Sequence, residues 1–270
     1  MPQRLDDKTF IDEALRIVRE AEKNGAVLRI IGALAVRLHC PEYATLHVSL
    51  KRLEEDQSFT DIDLIGYSGQ MRRIREVMED ILRFKISPQA LLMRGKERLV
   101  YTHPEDLYQV DVFLDRLRFS HDIAFGKDPK EGRLSLDFPT ITPTDILLEK
   151  IQIHDIAEKD IKDILTILRA HSISLQEEKD RINAAYIARL LAGDWGLWYD
   201  AKLNLAKAQD FARRYRESGM LTQHDLEDIT GKIAELTDLM DKESKTREWV
   251  KASRRGLNKQ WWRSVEELIR

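Results

Sequence analysis

The stretch that most constrains this chain is Thr60-Asp61-Ile62-Asp63-Leu64-Ile65-Gly66. Two aspartates alternate with apolar residues there, and a glycine closes the run. Side chains of an extended strand alternate between faces, so Asp61 and Asp63 share one face while Ile62 serves packing on the other. Neighbouring carboxylates repel each other unless one is protonated or a cation lies between them. A hard divalent ion such as Mg²⁺, which takes oxygens from one or two carboxylates together with substrate phosphates, meets that need. The competing reading is a solvated strand edge or turn, so the neighbouring elements decide.

The run is preceded by a helix, a strand, a glycine turn and a second helix. Phe10, Ile11, Ala14, Leu15, Ile17, Val18 and Ala21 recur at helical spacing over 8–23, with Asp7 as the expected cap and Asn24-Gly25 as the stop. Val27 to Ile31 reads as a short strand ending at Gly32, and Ala33 to His39 as a helix stopped by Pro41. A glycine at that junction lets a backbone approach a ligand, and the helix start offers N–H groups to an anion. Residues 42–59, with Arg52 and the acidic run Glu54-Glu55-Asp56, read as a polar loop, and Arg52 is a further phosphate candidate.

Beyond the aspartate pair, Met71 to Phe84 reads as an amphipathic helix with Ile74, Val77, Met78, Ile81 and Leu82 on one face. Arg98–Thr102 and Tyr108–Leu114 read as two strands joined by a turn at His103-Pro104-Glu105-Asp106. The second carries a third aspartate, Asp111, inside an apolar run. Asp115 has the same strand parity and competes with it. Burying three aspartates without partners would cost several kcal/mol each, on the order of the desolvation penalty of a polar group. A metal, basic partners or exposure must therefore resolve them.

Arg133 to Phe138 reads as another strand, and Thr142-Pro143-Thr144-Asp145 as a helix start leading to Lys150. A further helix over 158–168 has Ile161, Ile164, Leu165 and Leu168 as its core face, Asp160 at the margin and Asp163 pointing largely away. From Glu177 helical patterns dominate, punctuated by Gly193, Gly196, Gly219 and Gly231, and all five tryptophans lie in this part. The expected boundary lies near 171–177, giving a domain over 1–172 and a helical one over 173–270.

Composition narrows the function classes. Forty-four basic residues against 47 acidic ones leave a net charge of −3, which excludes a global nucleic-acid coating and permits only local basic patches. Such a patch lies between Lys245 and Arg270, where eight basic residues face three acidic ones with Trp249, Trp261 and Trp262 interleaved. Basic charge beside aromatics suits RNA phosphates and bases; an amphipathic helix packing its tryptophans on the core is the alternative. The single Cys40 suits a reducing cytosol, as a small buried hydrophobe. No apolar stretch is long enough to span a bilayer and no signal peptide is apparent, so a soluble cytoplasmic protein is expected. The seven histidines lack paired ligand spacing, and no P-loop is present.

Together, Ile31-Gly32-Ala33, Asp61-Ile62-Asp63-Leu64 and Val110-Asp111-Val112 resemble the hG[GS], hDxDh and hDh motifs of the polymerase-β-like nucleotidyltransferase superfamily. Leu147-Leu148-Glu149-Lys150 and Glu158-Lys159-Asp160-Ile161-Lys162-Asp163 look like the lysine and Lys-Asp motifs of a branch that includes type IV toxin–antitoxin and abortive-infection toxins. The resemblance covers about residues 8 to 170. It implies an α+β fold, a mixed-sheet nucleotidyltransferase core flanked by helices and followed by an all-helical C-terminal domain. It further implies catalytic Asp61, Asp63, Asp111, Lys150 and Asp160. Two Mg²⁺ ions would be held by Asp61, Asp63 and Asp111, and an NTP would be bound at Gly32, Ala33 and Lys150. The chain departs from the pattern at Ala33, where the family has a second glycine or a serine.

The implied activity is transfer of a nucleoside monophosphate from the NTP to a hydroxyl on a small molecule, a protein or a tRNA end, with release of pyrophosphate. The alternative is a catalytically silent relative that binds nucleotide or RNA, which Ala33 favours and the intact aspartate set opposes.

Overall fold

The computed structural model describes residues 5–44, 46 and 59–264. His47, Arg52, the acidic run at 54–56 and most of the expected loop lie outside these residues, as do Glu266, Glu267 and Arg270. The architecture is mixed α and β, with a five-stranded mixed sheet, flanking helices and a helical C-terminal part. The chain forms two compact units, one from residues 1–38, 53–117 and 123–141, the other from 39–52, 118–122 and 142–270. The composition change near 171–177 falls inside the second unit.

The first unit is organised on the sheet. Helix α1 (Asp7–Lys23) buries Phe10, Ala14, Ile17, Val18 and Ala21, the expected face. Its cap is Asp6 rather than Asp7: the Asp6 carboxylate accepts from the Thr9 N–H at 2.7 Å, while Asp7 pairs with Arg37. Strands β1 (Leu28–Ile30) and β2 (Ile62–Gly66) pair antiparallel. Between them in sequence, α2 runs over Gly32–His39. β2 then pairs parallel with β5 (Gln109–Leu114), which pairs antiparallel with β4 (Arg98–Thr102). The edge strand β3 (Lys85–Ile86) completes the order β1-β2-β5-β4-β3. Residues 110–114 of β5 are all buried, which is why that strand reads as a nearly continuous apolar run with one acid in it. Fully buried Leu28, Ile30, Ile62, Leu64, Val110 and Val112 anchor the sheet, each worth about 1.5–3 kcal/mol relative to exposure.

Two expectations for this unit need correction. The amphipathic helix expected over 71–84 is α3 (Met71–Arg75) followed by a π-helical turn over Glu76–Ile81. The Leu82 N–H bonds the Val77 carbonyl, five residues back. That wider turn shifts the helical phase, so Ile74, Val77 and Met78 are buried as expected but Ile81 is exposed. The strand expected over 133–138 is a 3₁₀ turn at Arg133–Ser135. The Leu134 N–H donates to the Tyr67 hydroxyl and the Leu136 N–H to the Arg133 carbonyl, which closes a turn instead of a ladder. The contact with β1 comes slightly later, where Ile30 N–H donates to the Pro139 carbonyl and Ile141 N–H to that of Ile30. Helix α4 (Pro88–Arg94), capped by Ser87, lies in a stretch whose pattern suggested no element.

The second unit is helical. Helix α5 (Pro143–Ile151) starts where expected, with the Thr142 hydroxyl accepting from the Asp145 N–H. After α6 (Glu158–Ala170) come two three-residue strands, Ser172–Ser174 and Arg181–Asn183, paired in parallel. Helices α7 (Ala184–Leu191), α8 (Trp195–Glu217), α9 (Gln223–Lys242) and α10 (Arg247–Arg255) follow. Gly193 and Gly219 punctuate this run, but Gly196 and Gly231 lie inside helices. At Gly196 a side chain would meet Trp261 at 2.8 Å, so this glycine marks a packing slot and not a helix end. The basic C-terminal helix stops at Arg255, and Trp261 and Trp262 lie beyond it. Among the described residues no helix is long and apolar enough to cross a membrane.

Candidate active site

Parallel pairing of β2 and β5 sets Asp63 directly opposite Asp111. Asp61, just before β2, has the parity of Asp63, and one carboxylate oxygen from each of the three residues lies within 4.8 Å of the others. Ile62 and Leu64 fill the opposite face and are fully buried. Asp61 and Asp63 are half-buried and Asp111 is buried. The Thr60 hydroxyl donates to Asp61 Oδ1 at 2.9 Å, which orients the outermost carboxylate. Octahedral Mg²⁺ with bonds of about 2.1 Å separates its ligands by about 3–4 Å. Three hard oxygen donors within 4.8 Å of one another could close on such an ion with small side-chain adjustments.

The glycine turn adjoins this cluster. Gly32 has φ +68°, a left-handed conformation that a side chain would strain, and it opens α2. The preceding Ile31 N–H donates to the Asp63 carbonyl at 3.0 Å, tying the turn to the aspartate strand. The start of α2 therefore presents its partial positive charge next to the acids. Ala33 keeps the backbone N–H and lacks a hydroxyl.

The competition between Asp111 and Asp115 is resolved by the backbone. Asp115 lies past the end of β5 at φ +66°, four residues or about 13 Å along the strand direction from Asp111. Its carboxylate caps the turn after β2, accepting from the Ser68 N–H at 2.7 Å and the Ser68 hydroxyl at 2.6 Å. Asp111 alone joins the pair.

One residue at this cluster escaped the sequence reading. Arg98 on β4 ion-pairs with Asp111, and its guanidinium carbon stands 5.0 Å from the centre of the Phe113 ring. The hairpin register explains both contacts. Arg98 is directly opposite Phe113, and its neighbour Val100 is opposite Asp111, so Arg98 reaches its acid diagonally on the shared face. Aligning the two expected strands through their turn would have found it.

Lys150 and Asp160 belong to the second unit, where they meet each other. The Lys150 ammonium lies 2.9 Å from Asp160 Oδ1 and 3.0 Å from Asp163 Oδ2, with its side chain 5% exposed. Asp163, expected to point away from the helix core face, is fully buried. The signal for it was the i, i+3 spacing of Asp160 and Asp163, which sets both acids on one side of α6 to face a single cation.

The second unit holds another acid–base cluster that the sequence did not reveal. Asp200 on α8 is buried, and its two oxygens meet His121 Nε2 at 2.8 Å and His154 Nδ1 at 2.9 Å. Burial pushes the Asp200 pKa up, but the hydrogen bonds from both histidines outweigh it, leaving the carboxyl below its ordinary value. Trp261 donates its indole N–H to the same carboxylate at 3.2 Å, and Trp262 stacks on His154 with ring centres 3.7 Å apart. Two tryptophans of the basic C-terminal stretch thus pack within this unit, while Arg254, Arg255 and Lys259 are exposed.

No protein-family model and no curated protein matches the sequence. Among solved structures, the fold is similar to that of an antigenic nucleotidyltransferase-like protein from Paracoccidioides brasiliensis, with a TM-score of 0.40 and 12% identity over 91% of this chain and 98% of that one. So distant a likeness adds nothing about residues, and the site rests on its own geometry.

Proposed function

We propose that the protein is a Mg²⁺-dependent nucleotidyltransferase that moves a nucleoside monophosphate from an NTP to a hydroxyl acceptor and releases pyrophosphate. The observation that carries this reading is the meeting of Asp61, Asp63 and Asp111 beside the Gly32 turn. Asp61 and Asp63 would hold the metal, and Asp111 would complete its shell and help take the proton of the attacking hydroxyl. The ion supplies Lewis-acid stabilisation of the attacking and leaving oxygens when bound. Gly32 and the Ala33 N–H, at the start of α2, would receive phosphate oxygens.

Lys150 and Asp160 enter this reading as a coupled pair. The Lys150 ammonium would stay with Asp160 and Asp163, so the pair would support the second unit, and the charge-neutralising role that the resemblance implies for Lys150 is left out of the proposal. The acceptor classes are a small molecule, a protein hydroxyl and a tRNA end, with RNA met through the exposed Arg254, Arg255 and Lys259. A toxin of the type IV or abortive-infection kind is a narrower form of the proposal. A cytoplasmic setting suits the free Cys40. The second reading, a silent nucleotide- or RNA-binding relative, is favoured by Ala33 alone.

Incubation with each labelled NTP, Mg²⁺ and a cell extract tests the proposal. Label should pass to an acceptor with the wild type and not with Asp63→Asn. Equal labelling by both would remove the metal assignment, and binding without transfer would favour the silent relative.

A further inference from the structure

The sheet face that carries the three acids continues past them. On β5, Gln109, Asp111 and Phe113 share this face at intervals of about 6.8 Å. On β4, Thr102, Val100 and Arg98 lie directly opposite them, and the edge strand adds Lys85 opposite Thr102. The other face of the same two strands is packed: Leu99, Tyr101, Val110 and Val112 are fully buried. The face with the acids is not. Gln109 is exposed, and Val100 and Thr102 are half-buried. A solvent-facing strip therefore runs from Asp111 toward the turn at 103–108.

The chemistry of this strip selects among acceptors. Its two cations are already paired, Arg98 with Asp111 and Lys85 with Asp106 at 3.0 Å. Between them lie a neutral amide and a neutral hydroxyl. Neither the Gln109 amide nor the Thr102 hydroxyl is hydrogen-bonded to protein among the described residues. RNA draws its affinity from cations that neutralise phosphates, which suits this strip poorly. A polyol, whose hydroxyls both donate and accept, matches an amide and a hydroxyl side by side. The step of about 6.8 Å from Asp111 to Gln109 is spanned by a molecule of sugar size. We infer that this strip is the acceptor subsite, and that the acceptor is a small, neutral polyhydroxyl compound held by Thr102 and Gln109. One of its hydroxyl oxygens would bond to the α-phosphorus as the bond to pyrophosphate breaks, and its proton would pass to Asp111. This rests on the transferase reading and narrows its acceptor classes to one.

Labelling with α-phosphate-labelled NTP, Mg²⁺ and a fractionated cell extract tests this. Separate reactions receive the extract's proteins, its RNA, and its low-molecular-weight filtrate after passage through mixed ion-exchange resin, which retains ions and passes neutral compounds. Label should pass to the resin-treated filtrate. Gln109→Ala and Thr102→Ala should each raise the amount of filtrate needed for half-maximal labelling roughly three- to tenfold, the scale of one lost hydrogen bond. The NTP concentration needed should stay as it is. Label confined to protein, to RNA or to resin-retained compounds would overturn the inference and leave the transferase standing. Variants that match the wild type, or that change only the NTP requirement, would overturn it too. No label in any fraction would remove the transferase reading and the inference with it.

Discussion

The two acidic clusters of this protein solve the same electrostatic problem in opposite ways. In the second unit, Asp160 and Asp163 close on Lys150, a lysine whose side chain is 5% exposed. The cation is covalently part of the fold, and the group is finished without a ligand. In the first unit, Asp61, Asp63 and Asp111 converge with Arg98 on the innermost acid, and the other two remain half-buried. Asp61 and Asp63 keep part of their surface in contact with solvent, the source of any cation. Acids closed on a buried cation are structural; acids that converge while still open to solvent can take an ion.

If that distinction holds, neutralising one acid should act on chemistry in the first cluster and on stability in the second. The largest effect expected is on transfer by Asp63→Asn. Loss of one metal ligand should lower the rate on the order of a thousandfold, or about 4 kcal/mol of transition-state stabilisation. Urea unfolding of the same variant without metal should show a loss well below the ~3–5 kcal/mol that breaking a buried ion pair costs. A marked loss of stability would mean that Asp63 is a structural acid, and the contrast would fail.

Lys150→Met probes the other side. It strands two buried carboxylates, and removing one partner of a buried ion pair costs about 3–5 kcal/mol. Denaturant unfolding followed by circular dichroism should show a loss of that size. A cost below about 1 kcal/mol, the level of an exposed ion pair, would show that the lysine is accessible and available to a ligand.

Legibility in the sequence depends on how far each signal reaches along the chain. The alternation around Asp61 and Asp63, the hydrophobic run holding Asp111, and the signals at Thr142 and Gly32 are local, and each became the element it suggested. The π turn after Arg75 was hidden because it changes the helical phase without changing the residue types. Asp115 and Asp111 were indistinguishable by parity, since only the end of the ladder at Leu114 separates them. Arg98 required the register of two strands, and Asp200 required residues 79 and 46 positions away to meet it. Non-local partners leave no periodic trace.

A smaller effect is expected at Asp200, whose carboxylate is satisfied by His121, His154 and Trp261 inside the second unit. Asp200→Asn should cost about 1–3 kcal/mol at neutral pH, the scale of hydrogen bonds to a charged group. Because the folded carboxyl titrates below its ordinary value, its contribution is complete above about pH 4 and is lost as pH falls through the depressed value. The stability difference between wild type and variant should therefore shrink on acidification below about pH 4. A gap independent of pH would mean that the carboxylate's charge is not what holds the tryptophans.

The smallest perturbation offers the finest check on the closed character of the second unit. Cys40 is buried with its thiol 3.9 Å from the Thr166 carbonyl and from His171 Nε2. Burial, reinforced by the negative charge of Asp163, pushes the thiol up to about 12. At about pH 8 the thiolate fraction is then about 1 in 10,000, against roughly a quarter for an ordinary cysteine. An aromatic disulfide reagent should leave native Cys40 unlabelled and react at once after urea. Any slow native reaction should proceed through opening of the unit, and Lys150→Met should accelerate it because opening becomes easier. Rapid native labelling, indifferent to Lys150, would show that the acids and the lysine beside this thiol are reached by solvent, and the second cluster would lose its claim to be closed.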